Sequence, residues 1–171
     1  MSAVAPPTLR TARLTLRAPT VADSHTFAAF LATDRAAHLG GPVPDPTAGH
    51  RAFGHAMGLW TLRGYGPLVM DLDGTGIGMA GPWFPVMFDE PELAWTIWDP
   101  AREGHGLAFE AASATRDWAR DALRLPSLVS YIAPGNDRSI RLAERLGATL
   151  EPDDDFDPEE DDLVYRHWGP A

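Results

Sequence analysis

Apolar residues return at helical spacing through Leu107, Ala111, Ala114, Trp118 and Ala122, with Glu110, Arg116, Asp117, Arg120 and Asp121 mostly off that line. This predicts an amphipathic helix running to Leu123. A loop, Pro100 to Gly106, precedes it, and Glu92–Trp98 (ELAWTIW) before the loop reads as a strand. The central unit is thus strand, glycine-bearing turn, helix. Alternation over Ala12–Arg17 predicts a first strand. Pro19 and Thr20 open a helix, with Thr20 as N-cap, Asp23 three residues on, and Val21, Phe27, Phe30 and Leu31 as its apolar side. Thr47–Arg63 reads as a second helix with Phe53, Met57 and Trp60 on one side; Gly54 and Gly58 either weaken it or admit a close backbone approach. Pro67–Asp73 and Thr75–Pro85 read as strands turned at Asp73-Gly74. Ser127–Ala133 is a short apolar run that suits a buried strand. Asp137–Leu146 reads as a helix with Ile140, Ala143 and Leu146 inward and Gly147 closing it, and Asp162–Trp168 as the last strand. With no repeat and no linker in view, the order predicts a mixed α/β fold around one sheet, in one domain spanning residues 1–171.

Composition narrows the compartment and the partners. The 171 residues, 44% of them hydrophobic, suffice for a substantial core. The absence of cysteine excludes disulfides, thiolate catalysis and Cys-based zinc sites. The N-terminal segment MSAVAPPTLRTARL carries no apolar stretch of signal or membrane-spanning length, so a cytoplasmic protein with no membrane partner is expected. The net charge is −10, yet Glu151–Asp162 alone holds nine acids and no base. The rest of the chain is nearly neutral, with 15 acids against 14 Lys and Arg, and has no basic face for nucleic acid. The acidic run reads as a solvated loop or as a flap that attracts a cationic substrate.

Several chemistries find no support. The six histidines show no ligand spacing with carboxylates, so no metal site is expected. There is no G-x-S-x-G elbow. Gly76, Gly78 and Gly81 spell G-x-G-x-x-G, but inside a strand followed by Pro82, Trp83 and Phe84 with no helical period. A dinucleotide site needs that fingerprint to open a helix; here small residues more simply leave room beside a strand. Gly104 and Gly106 do stand at a helix start. Unpaired amides and the helix dipole make such a start an anion site, and glycines let an anion approach the main chain.

Two stretches, Glu92–Pro100 followed by Glu103–Ala111 (EGHGLAFEA), and Ser130–Ser139 (SYIAPGNDRS) followed by Leu142–Ala148 (LAERLGA), together resemble the N-acetyltransferases of the GNAT superfamily. The likeness is greatest to the branch typified by ribosomal-protein N-terminal acetyltransferases, the RimJ/RimL type. TARLTLRAPTVAD at the N-terminus and Gly64-Tyr-Gly-Pro are similar to that branch as well, so the resemblance runs from about Thr11 to Trp168. It implies a mostly antiparallel central sheet of 6–7 strands, splayed between the fourth and fifth, with about four flanking helices. It implies acetyl-CoA as co-substrate, its pantetheine arm in the splay near Ile97 and Trp98, and its pyrophosphate on the amides of Arg102, Glu103, Gly104, His105, Gly106, Leu107 and Ala108. Asn136 matches a family position that helps hold the coenzyme, and Ser139 lies one turn on; Asn136 is equally suited to capping a helix.

The implied reaction is direct transfer of acetyl to a primary amine, a protein N-terminus or a small molecule. Such an amine must lose a proton. Glu92 is the first candidate for that base, with Asp89 and Glu90 as alternatives, and backbone N–H near Ile97 is a candidate to polarise the thioester carbonyl. Where many members carry a tyrosine to protonate the leaving thiolate, this chain has Ala143. Ser139 is the expected substitute, with Tyr131 in reserve. Glu103 occupies a slot that is often Arg or Gln, and a carboxylate there repels phosphate unless it turns away, leaving Arg102 to supply positive charge. These departures feed an alternative reading, an acyl-CoA-binding module that senses and turns over little. Trp60, Trp83, Phe84 and Trp95 are candidates for an acceptor pocket or for the core. A homodimer accords with the resemblance, although no sequence feature demonstrates one.

Overall fold

The computed structural model describes residues 5–153, 155–158 and 161–170; Asp154, Glu159 and Glu160 of the acidic run lie outside them. The elements, in chain order, are β1 (Leu9–Arg10), β2 (Thr15–Arg17), α1 (Val21–Leu31), α2 (Pro46–Leu62), β3 (Leu68–Leu72), β4 (Thr75–Trp83), β5 (Glu92–Ile97), α3 (Leu107–Asp121), β6 (Leu128–Ile132), α4 (Asp137–Arg145), β7 (Thr149–Leu150) and β8 (Leu163–Trp168), with short 3-10 turns at Asp34–Leu39 and Pro100–Arg102. The strands form one sheet in the order β1-β2-β3-β4-β5-β6-β8-β7. Every pairing is antiparallel except β5 with β6, which is parallel and reduced to a single pair, Glu92 opposite Val129. Beyond that pair the two strands part.

Local chemistry explains most of the elements. The Asp23 carboxylate accepts from the N–H and hydroxyl of Thr20 at the start of α1, and it also accepts from Arg17, so one buried acid ties a helix to β2. Asp73 and Gly74 both have positive φ, 52° and 84°, as a tight hairpin with a primed turn requires. Gly147, at φ 85°, ends α4 as the sequence predicts. Gly76 and Gly78 leave no space for a Cβ: one would meet Asp23 Oδ1 at 2.4 Å, the other the Thr96 carbonyl oxygen at 2.3 Å. The G-x-G-x-x-G run is therefore a strand packed against its neighbours.

Four expectations need correction. Ala12–Leu14 is a turn, closed by Thr11 on the Leu14 carbonyl, and only Thr15–Arg17 is strand. The two short strands β1 and β7 bring the sheet to eight rather than 6–7; two residues each are too few to show alternation. Gly54 and Gly58 face open space, whereas Gly49 is the helical glycine in close contact: a Cβ there would lie 2.8 Å from the Ala28 Cβ. The predicted apolar lines of α1 and α3 also hold only in part. In α1, Phe30 and Leu31 are buried and Phe27 half-buried, but Val21 is 82% exposed. In α3 the buried residues are Leu107, Ala111, Ala112, Thr115 and Ala119, while Ala122 is exposed and Trp118 stacks on Trp60 with 6.0 Å between ring centroids.

The core lies on both faces of the sheet. Leu16, Leu68, Met70, Ile77, Leu107 and Ala111 pack together on one side. Phe30, Leu31, Phe53, Val69, Met79 and Trp98 pack on the other. A third cluster joins Leu93 of β5, Leu128 of β6, Ala112 and Ala119 of α3, and Leu146. In this way α3 spans the two strands where their ladder ends.

Candidate active site

The parting of β5 and β6 opens a cleft of about 1020 Å³. Its walls are β5 from Glu92 to Ile97, Ser130 to Ile132 of β6 with Ala133 after it, and the loop running into α3, and Asp162 also lines it. Of the residues predicted for the site, Glu92, Ile97, Arg102, Glu103, Gly104, Gly106, Leu107, Ala108, Asn136 and Ser139 line this one cleft. Trp98 and His105 do not. Trp98 is 3% exposed and packs on Phe27 at 5.8 Å, while its backbone N–H is committed to the Ile77 carbonyl at 2.8 Å. The His105 carbonyl accepts from Arg13 at 2.9 Å.

The loop has the geometry of an anion cradle. Asp99 caps the turn at Pro100–Arg102 by accepting from the Ala101 N–H at 2.9 Å. Gly104 and Gly106 then take φ of 74° and 75°, which a residue with a Cβ rarely adopts. The first helical bond of α3 runs from the Glu110 N–H to the Gly106 carbonyl at 3.1 Å, so the amides before Glu110 have no partner within the helix. Glu103 is turned out of the cradle. Arg35 binds its Oε1 through Nε at 2.9 Å and also through Nη2, and Arg138 binds its Oε2. Those charge-assisted bonds outweigh its desolvation and hold the carboxyl below the usual range. Arg35 also donates to the carbonyls of Ile97 and Trp98, at 2.8 and 2.7 Å, which fixes the end of β5. Arg141 and Arg145 of α4 complete a cationic rim, Arg145 lying 3.9 Å over the Phe109 ring. Arg102 pairs with Asp99 at 3.4 Å.

The side chains facing the middle of the cleft differ in what they offer. Burial raises the Glu92 carboxyl to about 8, the nearby Asp162 charge adds to the rise, and a hydrogen bond from the Tyr131 N–H opposes it. Glu90 is spoken for by a bidentate pair with Arg166, both bonds 2.9 Å, and lies below the usual carboxylate range because of it. Ser139 sits in the first turn of α4, where its N–H meets the Asn136 side chain at 3.3 Å; Asn136 is the N-cap. The Ser139 Oγ accepts from the Trp95 indole at 3.3 Å across the cleft, a bond that occupies a lone pair and leaves the hydroxyl hydrogen to donate. Tyr131 packs edge-on to Phe88 at 5.4 Å and is kept protonated by burial and by the carboxylates around it. Of the four aromatics considered for an acceptor pocket, Trp95 lines the cleft; Trp60 is core, Trp83 leans on His55 at 5.1 Å, and Phe84 lies under Arg63.

Sequence reasoning missed Arg35 and Arg138. Arg138 stands between Asn136 and Ser139 and was within reach of the motif. Arg35 is 68 residues from Glu103, and nothing local signals the pairing. Among the described residues no group of three or more His, Asp and Glu side chains is placed to hold a metal ion, and no helix is long and apolar enough to cross a membrane.

An open, mostly antiparallel sheet that splays at its one parallel pair, with a glycine-turned helix start facing the splay, matches known proteins. A family model described as acetyltransferase (GNAT) domain matches residues 13–149. An acetyltransferase from Agrobacterium tumefaciens is similar at 44% identity, over 95% of this chain and 94% of that one, with a TM-score of 0.85. A ribosomal-protein-S5-alanine acetyltransferase from Vibrio fischeri shares the fold at 17% identity, over 96% and 100% of the two chains, with a TM-score of 0.68. The ribosomal L7/L12 alpha-N-protein acetyltransferase RimL, in complex with coenzyme A, shares it at 16% identity, over 94% and 96%, with a TM-score of 0.68. The chain belongs to the GNAT acetyltransferases and is an N-acetyltransferase.

Proposed function

We propose that the chain moves the acetyl group of acetyl-CoA directly to a primary amine, with Glu92 as general base and Ser139 beside the leaving thiolate. The observation that carries this reading is the placement of Glu92 and Ser139 in one cleft whose end is a cradle of glycine-turned amides. The residues suit coenzyme A. Free amides and the arginines of α4 match its phosphates, and the one misplaced charge, Glu103, is neutralised by Arg35 and Arg138. That neutralisation removes one of the two departures, beside Ala143 in the tyrosine slot, that favour a binding module with little turnover. The coenzyme supplies an activated acyl carbon; the C–N bond forms there as the C–S bond breaks.

Glu92 takes the ammonium proton, directly or through a water, from an amine whose pKa lies near its own. The Ser139 hydroxyl donates to the departing sulfur. Its pKa makes it a hydrogen-bond donor more than an acid. Asp162 also lines the cleft, and its charge acts on Glu92, so the acceptor is a cationic amine drawn to this pair of acids. The test is acetylation of an amine panel, read as thiol release. Cationic primary amines are expected as substrates. Glu92→Gln is expected to lower kcat/KM by about a hundredfold or more and to abolish the rise in rate on passing through about pH 8. Unchanged turnover in Glu92→Gln overturns the base assignment, and coenzyme binding without thiol release across the panel overturns the enzyme reading of this site.

A further inference from the structure

Strand alternation puts Glu92 and Trp95 on opposite faces of the sheet. Residues directly opposite on paired strands point to the same side. Glu92 stands opposite Trp83 and Thr96 opposite Met79, and both of those partners pack on the side of Phe30 and Phe53. Trp95 stands opposite Ala80, which packs with Leu16 and Leu107 on the other side. The base candidate thus enters the cleft from the face of α1 and α2. Trp95 enters it from the face of α3 and α4, where Ser139 lies.

The Trp95 ring is half-buried and reaches across the parting of the strands. It packs on the cluster of Leu16 and Leu107 and on the one that Leu93 and Leu128 share under α3. It also packs on Ile132, Ala143 and Tyr165, which belong to β6, α4 and β8. Anchored on both sides of the gap, the indole donates its Nε1–H to the Ser139 Oγ at 3.3 Å. An indole is a donor only, so the serine oxygen accepts and its hydrogen points elsewhere. A serine in the first turn of a helix has a second rotamer open to it. There its hydroxyl bonds back to a carbonyl three or four residues earlier, here Asn136 or Gly135. The bond to the indole favours the rotamer that keeps the oxygen in the cleft.

We propose that Trp95 is a positioning residue for departure of the thiol: its indole N–H holds the Ser139 oxygen in the cleft, with the hydroxyl hydrogen free for the sulfur. Trp95 acts through Ser139 and not on the amine. As the C–S bond breaks, the sulfur leaves with the electron pair, and the Ser139 hydroxyl donates a hydrogen bond to the charge while keeping its proton. Trp95 is then an aromatic of the thiol side of the cleft and not of an acceptor pocket.

The proposal rests on the reading of Ser139 beside the leaving thiolate. The experiment compares Trp95→Phe, Ser139→Ala and the double variant, each checked for folding by its thermal transition. It reads the single-turnover rate of acetyl transfer to an amine acetylated in the panel, and coenzyme A affinity by calorimetry. It also reads the Trp95 indole resonance in the nitrogen–proton NMR spectrum, assigned by its loss in Trp95→Phe. That resonance is expected to move upfield in Ser139→Ala, where its acceptor is gone. Ser139→Ala is expected to slow transfer by about tenfold or more, the worth of a hydrogen bond to a charged group. Trp95→Phe slows it several-fold, and the double variant is no slower than Ser139→Ala. In Trp95→Phe coenzyme A affinity stays at its wild-type value, and the rate still rises through about pH 8, because the base on the other face is untouched. If Trp95→Phe does not fold, β-(3-benzothienyl)alanine at position 95, which has the same shape with sulfur in place of the N–H, is read instead. Losses that multiply in the double variant, a shifted pH midpoint, weakened coenzyme binding in place of slowed transfer, or an indole resonance indifferent to Ser139→Ala overturn the proposal. A slow Ser139→Ala beside a wild-type rate in Trp95→Phe overturns it alone and leaves the Ser139 reading standing. A wild-type rate in Ser139→Ala overturns the thiolate reading, and this proposal with it.

Discussion

Glu92 is an acid whose surroundings oppose its charge, and that has a measurable sign. Its folded midpoint, about 8, lies above the ordinary value of 4.5, so the folded protein binds the extra proton more tightly than the unfolded chain. The stability this gives is complete below 4.5 and is lost as pH rises through about 8. A neutral amide at this position escapes that loss. Glu92→Gln is therefore expected to melt progressively higher than the wild type as pH is raised from about 5 to about 9, a difference read by calorimetry at each pH. A gap that shrinks with pH contradicts the assigned environment. Glu92 was found by sequence because it begins a strand of a recognisable motif. Its environment was not legible there, since Asp162 is brought beside it by β8 and the Tyr131 N–H by the parting of the strands.

At the scale of elements, the glycine loop illustrates both success and limit. Positive φ at Gly104 and Gly106 is a local demand, and a local signal announced it. The neutralising of Glu103 is a meeting of three elements: the turn at Asp34–Leu39, the loop and α4. Arg35→Ala is expected to leave Glu103 facing the cradle and to raise the KM for acetyl-CoA by about tenfold, with Glu103→Gln in the same chain recovering most of the loss. The measurement is KM for acetyl-CoA in the single and double variants; no recovery in the double variant assigns the effect to the Ile97 and Trp98 carbonyls that Arg35 also holds. The face of α3 shows a different limit. Its apolar line through Ala114, Trp118 and Ala122 is real, but the buried stripe is the neighbouring one, Ala111, Thr115 and Ala119, because small residues let the helix lie close across β5 and β6. Thr115 fits there by returning its hydroxyl to the Ala111 carbonyl at 3.0 Å.

Across the whole molecule, both signs of charge meet at the cleft. Arg102 lines it from the loop and Arg138, Arg141 and Arg145 from α4, while Glu92 and Asp162 bring carboxyls to it. Within the acidic run, Glu151 is tied to Arg166, while Asp157 and Asp161 close a turn between themselves. Among the described residues of the run, Asp162 is the one that lines the cleft. Asp162→Asn is expected to raise the KM for cationic amines several-fold, leave acetyl-CoA affinity alone, and lower the pH at which the rate rises, because a like charge beside Glu92 is gone. Steady-state kinetics with cationic and neutral amines over pH check all three; unchanged KM for the cationic ones sinks the acceptor reading. The order of the longer elements was legible because those strands and helices carry regular patterns, and the splayed pair because the family resemblance implied it. The two-residue strands were not, and neither were the long-range ion pairs that set the electrostatics.

The solitary rung between β5 and β6 has a mechanical meaning as well. Five strands lie on one side of it and three on the other. The sheet is a pair of plates sharing one backbone clasp, with α3 as a common underlay. A ligand seated in the cleft touches both plates and acts as a second clasp. Coenzyme A is therefore expected to slow amide exchange across β6 and β8 beyond the general gain from ligand binding to the folded state, while exchange in β3 and β4 changes only by that gain. Hydrogen-exchange mass spectrometry with and without coenzyme A reads the difference strand by strand. Uniform slowing across all the strands would mean that the plates already move as one.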